Sequence, residues 1–174
     1  MTQGSEPVLP DLDIAIEAAW PESGDWSALS IAALTALAAT VPELTNPRLS
    51  ASLVFTSDAE VQALNAQWRG KDKPTNVLSF PMLERDELLS LALAGPPELL
   101  GDIALARETC TREAADKAIS LEHHTAHLIV HGLLHLAGYD HETSPAEARA
   151  MEALEIKALA QMGIADPYGD HDEP

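Results

Sequence analysis

A chain of 174 residues, 46% of them apolar, is long enough for one domain with a sizeable core. Aromatics are only 4%, so that core must be mostly Leu, Ala, Ile and Val; no apolar run approaches the roughly 18 residues of a membrane span, and the lone Cys110 excludes an intrachain disulfide. A formal net charge of −18 sets a surface that repels nucleic acid at long range, because phosphate contacts need Lys and Arg. Leu12 to Ala18 alternates apolar with acidic or small residues and predicts a first strand. Asp25 opens a helical pattern through Leu29, Ala32, Leu34 and Leu37 that ends before Pro42. Leu49 to Phe55 predicts a second strand, with Leu49, Ala51, Leu53 and Phe55 on one face. Ser57-Asp58-Ala59-Glu60 is a capping-box pattern, and Val61, Leu64 and Trp68 form the expected buried stripe of the helix it opens.

A polar loop, Arg69 to Pro74, leads to a short strand, Asn76 to Phe80, that Pro81 should stop. Met82 to Leu99 mixes acidic residues, an apolar stretch and Gly95-Pro96-Pro97, and reads as a variable excursion. Leu100 to Ala106 predicts a further strand and Cys110 to Ala118 a short helix. Ser120 caps a longer helix running to Leu136 or Ala137, with Gly138 placed to end it. Ser144-Pro145-Ala146-Glu147 opens the last helix, with the stripe Ala148, Met151, Leu154, Ala158 and Met162. The expected architecture is α+β, a small sheet packed with about five helices, in one domain over residues 1–165. The acidic segment 166–174 is expected to be a disordered tail.

Chemistry concentrates in His131-Gly132-Leu133-Leu134-His135-Leu136-Ala137-Gly138-Tyr139-Asp140-His141. His131 and His135, four apart, share one helix face, and Gly138 lets the chain leave the helix so that His141 can complete a triangle of imidazoles. Neutral imidazoles suit Zn, Ni, Cu and Fe, and three protein ligands leave a position for water, whose pKa the metal lowers to about 7. A metal-dependent hydrolase is the natural reading. A purely structural site usually has four protein ligands, often with Cys, and no Cys lies near. His127, one turn before His131, sits near the same face as a supporting candidate, whereas His123 and His124 are expected at solvent or core edges. The same histidine spacing occurs in metzincin proteases, whose general base is a Glu directly after the first His; here that position is Gly132, which argues against peptidase activity. Of ten Lys and Arg, three (Arg69, Lys71 and Lys73) fall within five residues, the first place to seek an anionic substrate.

His131 to His141 resembles the H-G-x-L-H-L-x-G-Y-D-H signature of the YbeY family, bacterial endoribonucleases of ribosomal RNA maturation. Leu64-Asn65 with Arg69-Gly70-Lys71-Asp72-Lys73-Pro74-Thr75-Asn76-Val77-Leu78-Ser79-Phe80-Pro81 is similar to a second block of that family, and Leu100-Gly101-Asp102-Ile103 to a third, in the family's order. The resemblance implies a mostly four-stranded mixed sheet, with the metal site on a helix and its following loop. It implies His131, His135 and His141 as ligands of one zinc ion, with nickel as an alternative, and Arg69 as the functionally essential arginine. It further implies a single-strand-specific hydrolase, an endonuclease of rRNA processing at the small-subunit 3′ end and of ribosome quality control. The partners so implied are single-stranded rRNA and the small ribosomal subunit with its proteins.

On this reading a metal-activated water, or the RNA 2′-hydroxyl, attacks a phosphodiester that Arg69 grips. Asp102, Asp140 and Glu142 are weak candidates for a general base, and Asp140 is better suited to orienting a histidine. Lys71 and Lys73 are candidates for steering RNA, and Thr75 and Ser79 for touching phosphate. Tyr139 is expected to pack beneath the His141 loop. The charge of −18 favours RNA presented by other proteins, and leaves open a metal-stabilised ribosome assembly factor with little catalysis, or a hydrolase of another small substrate. Met1 to Pro10 carries no basic n-region or apolar h-region, and with one cysteine a cytoplasmic setting is expected.

Overall fold

The computed structural model, which describes residues 9–140 and 144–168, contains four strands and six α-helices among them. The strands are β1 (Asp11–Ile16), β2 (Leu49–Thr56), β3 (Val77–Pro81) and β4 (Glu98–Ala106). They form one sheet in the order β1-β2-β4-β3. The first three in that order run parallel, and β3 pairs antiparallel with β4 at the sheet's edge. The helices are α1 (Trp26–Ala38), α2 (Asp58–Arg69), α3 (Arg85–Leu89), α4 (Arg107–Lys117), α5 (Leu121–Leu136) and α6 (Pro145–Gln161). The α+β class and the mixed four-stranded sheet are as expected.

Local chemistry sets most helix starts. Side-chain oxygens of Asp25, Ser57, Ser120 and Ser144 each accept a backbone N–H three residues on, which satisfies a donor the helix cannot pair internally. Leu49, Ala51, Leu53 and Phe55 alternate into the main core. There Phe55 meets Trp20 edge-on at 5.0 Å between ring centres, and the helices α1, α5 and α6 supply the apolar cover. On the sheet's other face Val61 of α2 packs with Leu78, Ala104 and Ala106.

The packing of α5 on β4 is unusually close. A Cβ at Gly132 would lie 3.0 Å from Ile103 Cδ1, and one at Gly101 would lie 2.6 Å from Leu136 Cδ2. Gly101 also follows the register shift at which Leu100 is skipped in the β2–β4 pairing, and its φ of +154° suits glycine. Gly132 therefore has a packing reason: a methyl there would press on the Ile103 side chain, which would have to give by a few tenths of an ångström.

Four expectations need correcting. Pro81 does not stop β3 but belongs to it, a position open to proline because an edge strand has one unpaired side. Met82 to Leu99, read as a variable excursion, is held in place: it contains α3 and the start of β4, and Asn46 and Arg48 hold it through hydrogen bonds to the carbonyls of Leu91, Ala92 and Pro96. Trp68 is 66% exposed, because α2 runs beyond the apolar patch it covers. Arg69 is the last residue of α2 rather than part of the loop. Of the expected structureless tail, residues 166–168 are described, and Tyr168 packs its ring against His127. No helix among the described residues is long and apolar enough to cross a membrane.

Candidate active site

Edge strand β3 lines a cleft of about 1000 Å³. One wall is basic, formed by Arg69 at the end of α2 and by Lys71 and Lys73 in the following loop, with Asn65 beside them. Another comes from α5 and its exit turn, through His131, His135, Gly138, Tyr139 and Asp140. Thr75, Ser79, Glu84, Arg85 and Glu87 also line the cleft. The structure thus brings the basic cluster and the histidine pair, more than 50 residues apart in sequence, into one concavity.

The Nε2 atoms of His131 and His135 face each other at 3.1 Å. Two nitrogens bound to one tetrahedral ion at about 2.0–2.1 Å would stand roughly 3.3 Å apart, so the pair fits the expected metal. The orientation of His131 comes from Glu155, whose Oε2 accepts the Nδ1 proton at 2.6 Å and so leaves the Nε2 lone pair facing the cleft. Glu155 is 1% exposed. Burial alone pushes its pKa up, but hydrogen bonds from His127 and His131 overcome that and hold it at about 2. Its other oxygen takes His127 Nε2 at 2.9 Å and the Tyr168 hydroxyl, and burial followed by this carboxylate raises the phenol's pKa. His127 is thus linked to His131 through Glu155, and its ring also stands edge-on to that of His131 at 6.4 Å between centres.

His141, the third expected ligand, and Glu142 lie outside the described residues. Among the described residues, no group of three His, Cys, Asp or Glu side chains is placed to hold an ion. What is visible is the turn that leads to His141. Arg85 donates to the Ala137 carbonyl at 2.7 Å, pairs with Glu43 at 2.7 Å, and lies 4.5 Å over the Tyr139 ring. Gly138 sits at φ +99° with its Cα against Arg85, where a Cβ would clash at 2.8 Å. Tyr139 is half-buried beneath that guanidinium.

Asp102 is not brought to the cleft. It alternates with Gly101 and Ile103, the residues that meet α5, and so turns to the other face, where its carboxylate accepts the Ser52 hydroxyl. His123 is exposed, whereas His124 is buried against Glu113, and burial lowers its pKa. Glu155 and Arg85 were missed from the sequence. Glu155 had one legible signal, an acid in line with Met151, Ala158 and Leu159 on an otherwise apolar stripe.

The fold and site together define an α+β protein with a histidine pair and a basic cluster lining one cleft beside an edge strand. Against known proteins, residues 23–163 match the family described as Endoribonuclease YbeY. The chain is 61% identical to Endoribonuclease YbeY of Erythrobacter litoralis, over 91% of this chain and 98% of the relative. It is 56% identical to that of Novosphingobium aromaticivorans, over 94% and 98%. The solution structure of TM1509 from Thermotoga maritima superposes with a TM-score of 0.56 at 25% identity, over 92% of this chain and 91% of that one. The chain belongs to the YbeY family.

Proposed function

We propose that the chain is a single-strand-specific, metal-dependent endoribonuclease that acts in the cytoplasm on small-subunit ribosomal RNA. The observation that carries this reading is the shared cleft, with Arg69, Lys71 and Lys73 on one wall and His131 and His135 on another. His131, His135 and His141 are the ligand set, for one zinc or nickel ion. When bound, such an ion supplies a water acidic enough to act as a nucleophile at neutral pH. Glu155 fixes the tautomer of His131, so that its Nε2 offers a lone pair to the cleft. The Arg69 guanidinium, planar and always charged, grips a phosphate and offsets charge developing on its oxygens. Lys71 and Lys73 draw the strand toward that wall, and Asp140 at the exit turn orients the histidine loop. The charge of −18 supports a setting in which proteins of the small subunit present the RNA.

The test is to purify the chain without chelator, measure bound metal, and incubate it with single-stranded rRNA fragments beside Arg69→Ala and His135→Ala. The expected result is about one ion per chain and cleavage by wild type. Arg69→Ala should be slower by roughly 100- to 1000-fold with metal retained, and His135→Ala should lose both metal and activity. The ends of the fragments distinguish attack by water from attack by the 2′-hydroxyl. A wild type that holds metal and cuts no RNA overturns the catalytic reading and leaves a ribosome assembly factor in its place.

A further inference from the structure

The indole of Trp68 is the most exposed of the three tryptophans and belongs to neither apolar cluster. Trp20 and Trp26 are each 2% exposed, whereas Trp68 is 66% exposed and lies outside both apolar clusters. Seven residues after Val61, it falls on the same helical stripe but past the patch that Val61 covers. Asn65 and Arg69, one turn apart, both line the cleft; Trp68 is not among the lining residues, and at 3.6 residues per turn it stands about 60° around the helix from Asn65 and about 100° from Arg69. A large exposed apolar ring is left beside the cation best placed to hold a phosphate.

Electrostatics sharpens the point. With a net charge of −18, long-range attraction of RNA is absent, and the basic wall contributes three cations. For a single strand the salt dependence scales as about −0.7 per neutralised phosphate, so the three cations of this wall contribute a slope of about −2. Affinity must then come largely from contacts that salt does not weaken. Stacking of a base on an aromatic ring is such a contact, and it tolerates any sequence because every base has a π-face.

We propose that Trp68 is a stacking platform for a nucleobase of single-stranded RNA, next to the phosphate held by Arg69. The proposal rests on the ribonuclease reading of the cleft and adds to it a source of strand selectivity: a base inside a duplex is already stacked and paired, and is withheld from the indole.

The test uses the full chain and a 2′-O-methyl single-stranded oligonucleotide, checked for intactness after each titration. Binding is measured over a salt series for wild type, Trp68→Ala, Trp68→Phe and Arg69→Ala. Stacking should quench the long-wavelength emission of the exposed Trp68 and leave the emission of buried Trp20 and Trp26. Trp68→Ala should bind about 5- to 100-fold more weakly at every salt concentration with an unchanged slope. Trp68→Phe should recover most of the loss, and Arg69→Ala should flatten the slope by about 0.7. If Arg69→Ala weakens binding while Trp68→Ala binds as wild type without quenching, RNA occupies the cleft and the stacking proposal fails alone. Failure of Trp68→Phe to recover affinity also overturns it. If wild type binds no strand, the stacking proposal falls, and the ribonuclease reading is judged separately by the cleavage test.

Discussion

Glu155 decides which nitrogen of His131 faces the cleft. A carboxylate 1% exposed is tolerated only when its oxygens are hydrogen-bonded, and here one takes His131 and the other His127 and Tyr168. With a pKa of about 2 it is ionised wherever the protein works, so it continues to draw the Nδ1 proton of His131. Glu155→Gln keeps the volume and removes the charge. The expected outcome is a metal affinity lower by roughly 10- to 100-fold, read by competition with a chromogenic chelator. An unchanged affinity would show that His131 is oriented by something other than this carboxylate.

Among the elements, legibility in the sequence followed local chemistry. The start and end of α5 were readable from Ser120 and Gly138, those of β2 from strict alternation, and the start of α6 from Ser144, Pro145 and Glu147. The histidine pair and the basic cluster were readable as motifs and the family resemblance implied that they share a site, but the edge position of β3 that unites them is a property of the whole sheet. Trp68 was misread because periodicity cannot show where the patch under a helix ends. The helix α3 was invisible because five residues carry no period; a Glu84–Glu87 capping box closes it locally, and Arg85 fastens it to the turn after α5. Removing that support gives a test at this scale. A hydrogen bond from a charged donor contributes about 1.5–3 kcal/mol, and the ring contact adds about 0.5–1 kcal/mol. Arg85 is one-third exposed in its side chain, which discounts the pair with Glu43. Arg85→Ala is expected to lower stability by about 2 kcal/mol in urea denaturation. Arg85→Lys, which keeps the charge but loses the planar fork, should recover only part. An unshifted midpoint in Arg85→Ala would mean that the segment carrying α3 is not fastened to the turn after α5.

For the molecule as a whole, the imbalance of charge outweighs any single ion pair. Asp and Glu number 28 against ten Lys and Arg, yet only two Lys or Arg pairs with carboxylates lie within 4.0 Å among the described residues, Arg48 with Glu98 and Arg85 with Glu43. Repulsion therefore dominates the field. At about 0.01 M salt the screening length is roughly 30 Å, larger than the radius of a domain this size, and every acidic group acts on every other. At about 0.15 M it is roughly 8 Å, and only neighbours interact. Folding compacts this charge, so screening should stabilise the native state. The melting temperature is expected to rise by several degrees between these two conditions, at about 2–4 °C for each kcal/mol. A fall would mean that attractive pairs outweigh the repulsion. The same screening removes the long-range barrier to an approaching RNA strand while it weakens the few contacts made at the basic wall. The two effects oppose each other. The association rate should therefore rise with salt even as the lifetime of the complex shortens, a combination that stopped-flow measurements at the two ionic strengths would resolve and that a basic RNA-binding surface would not produce.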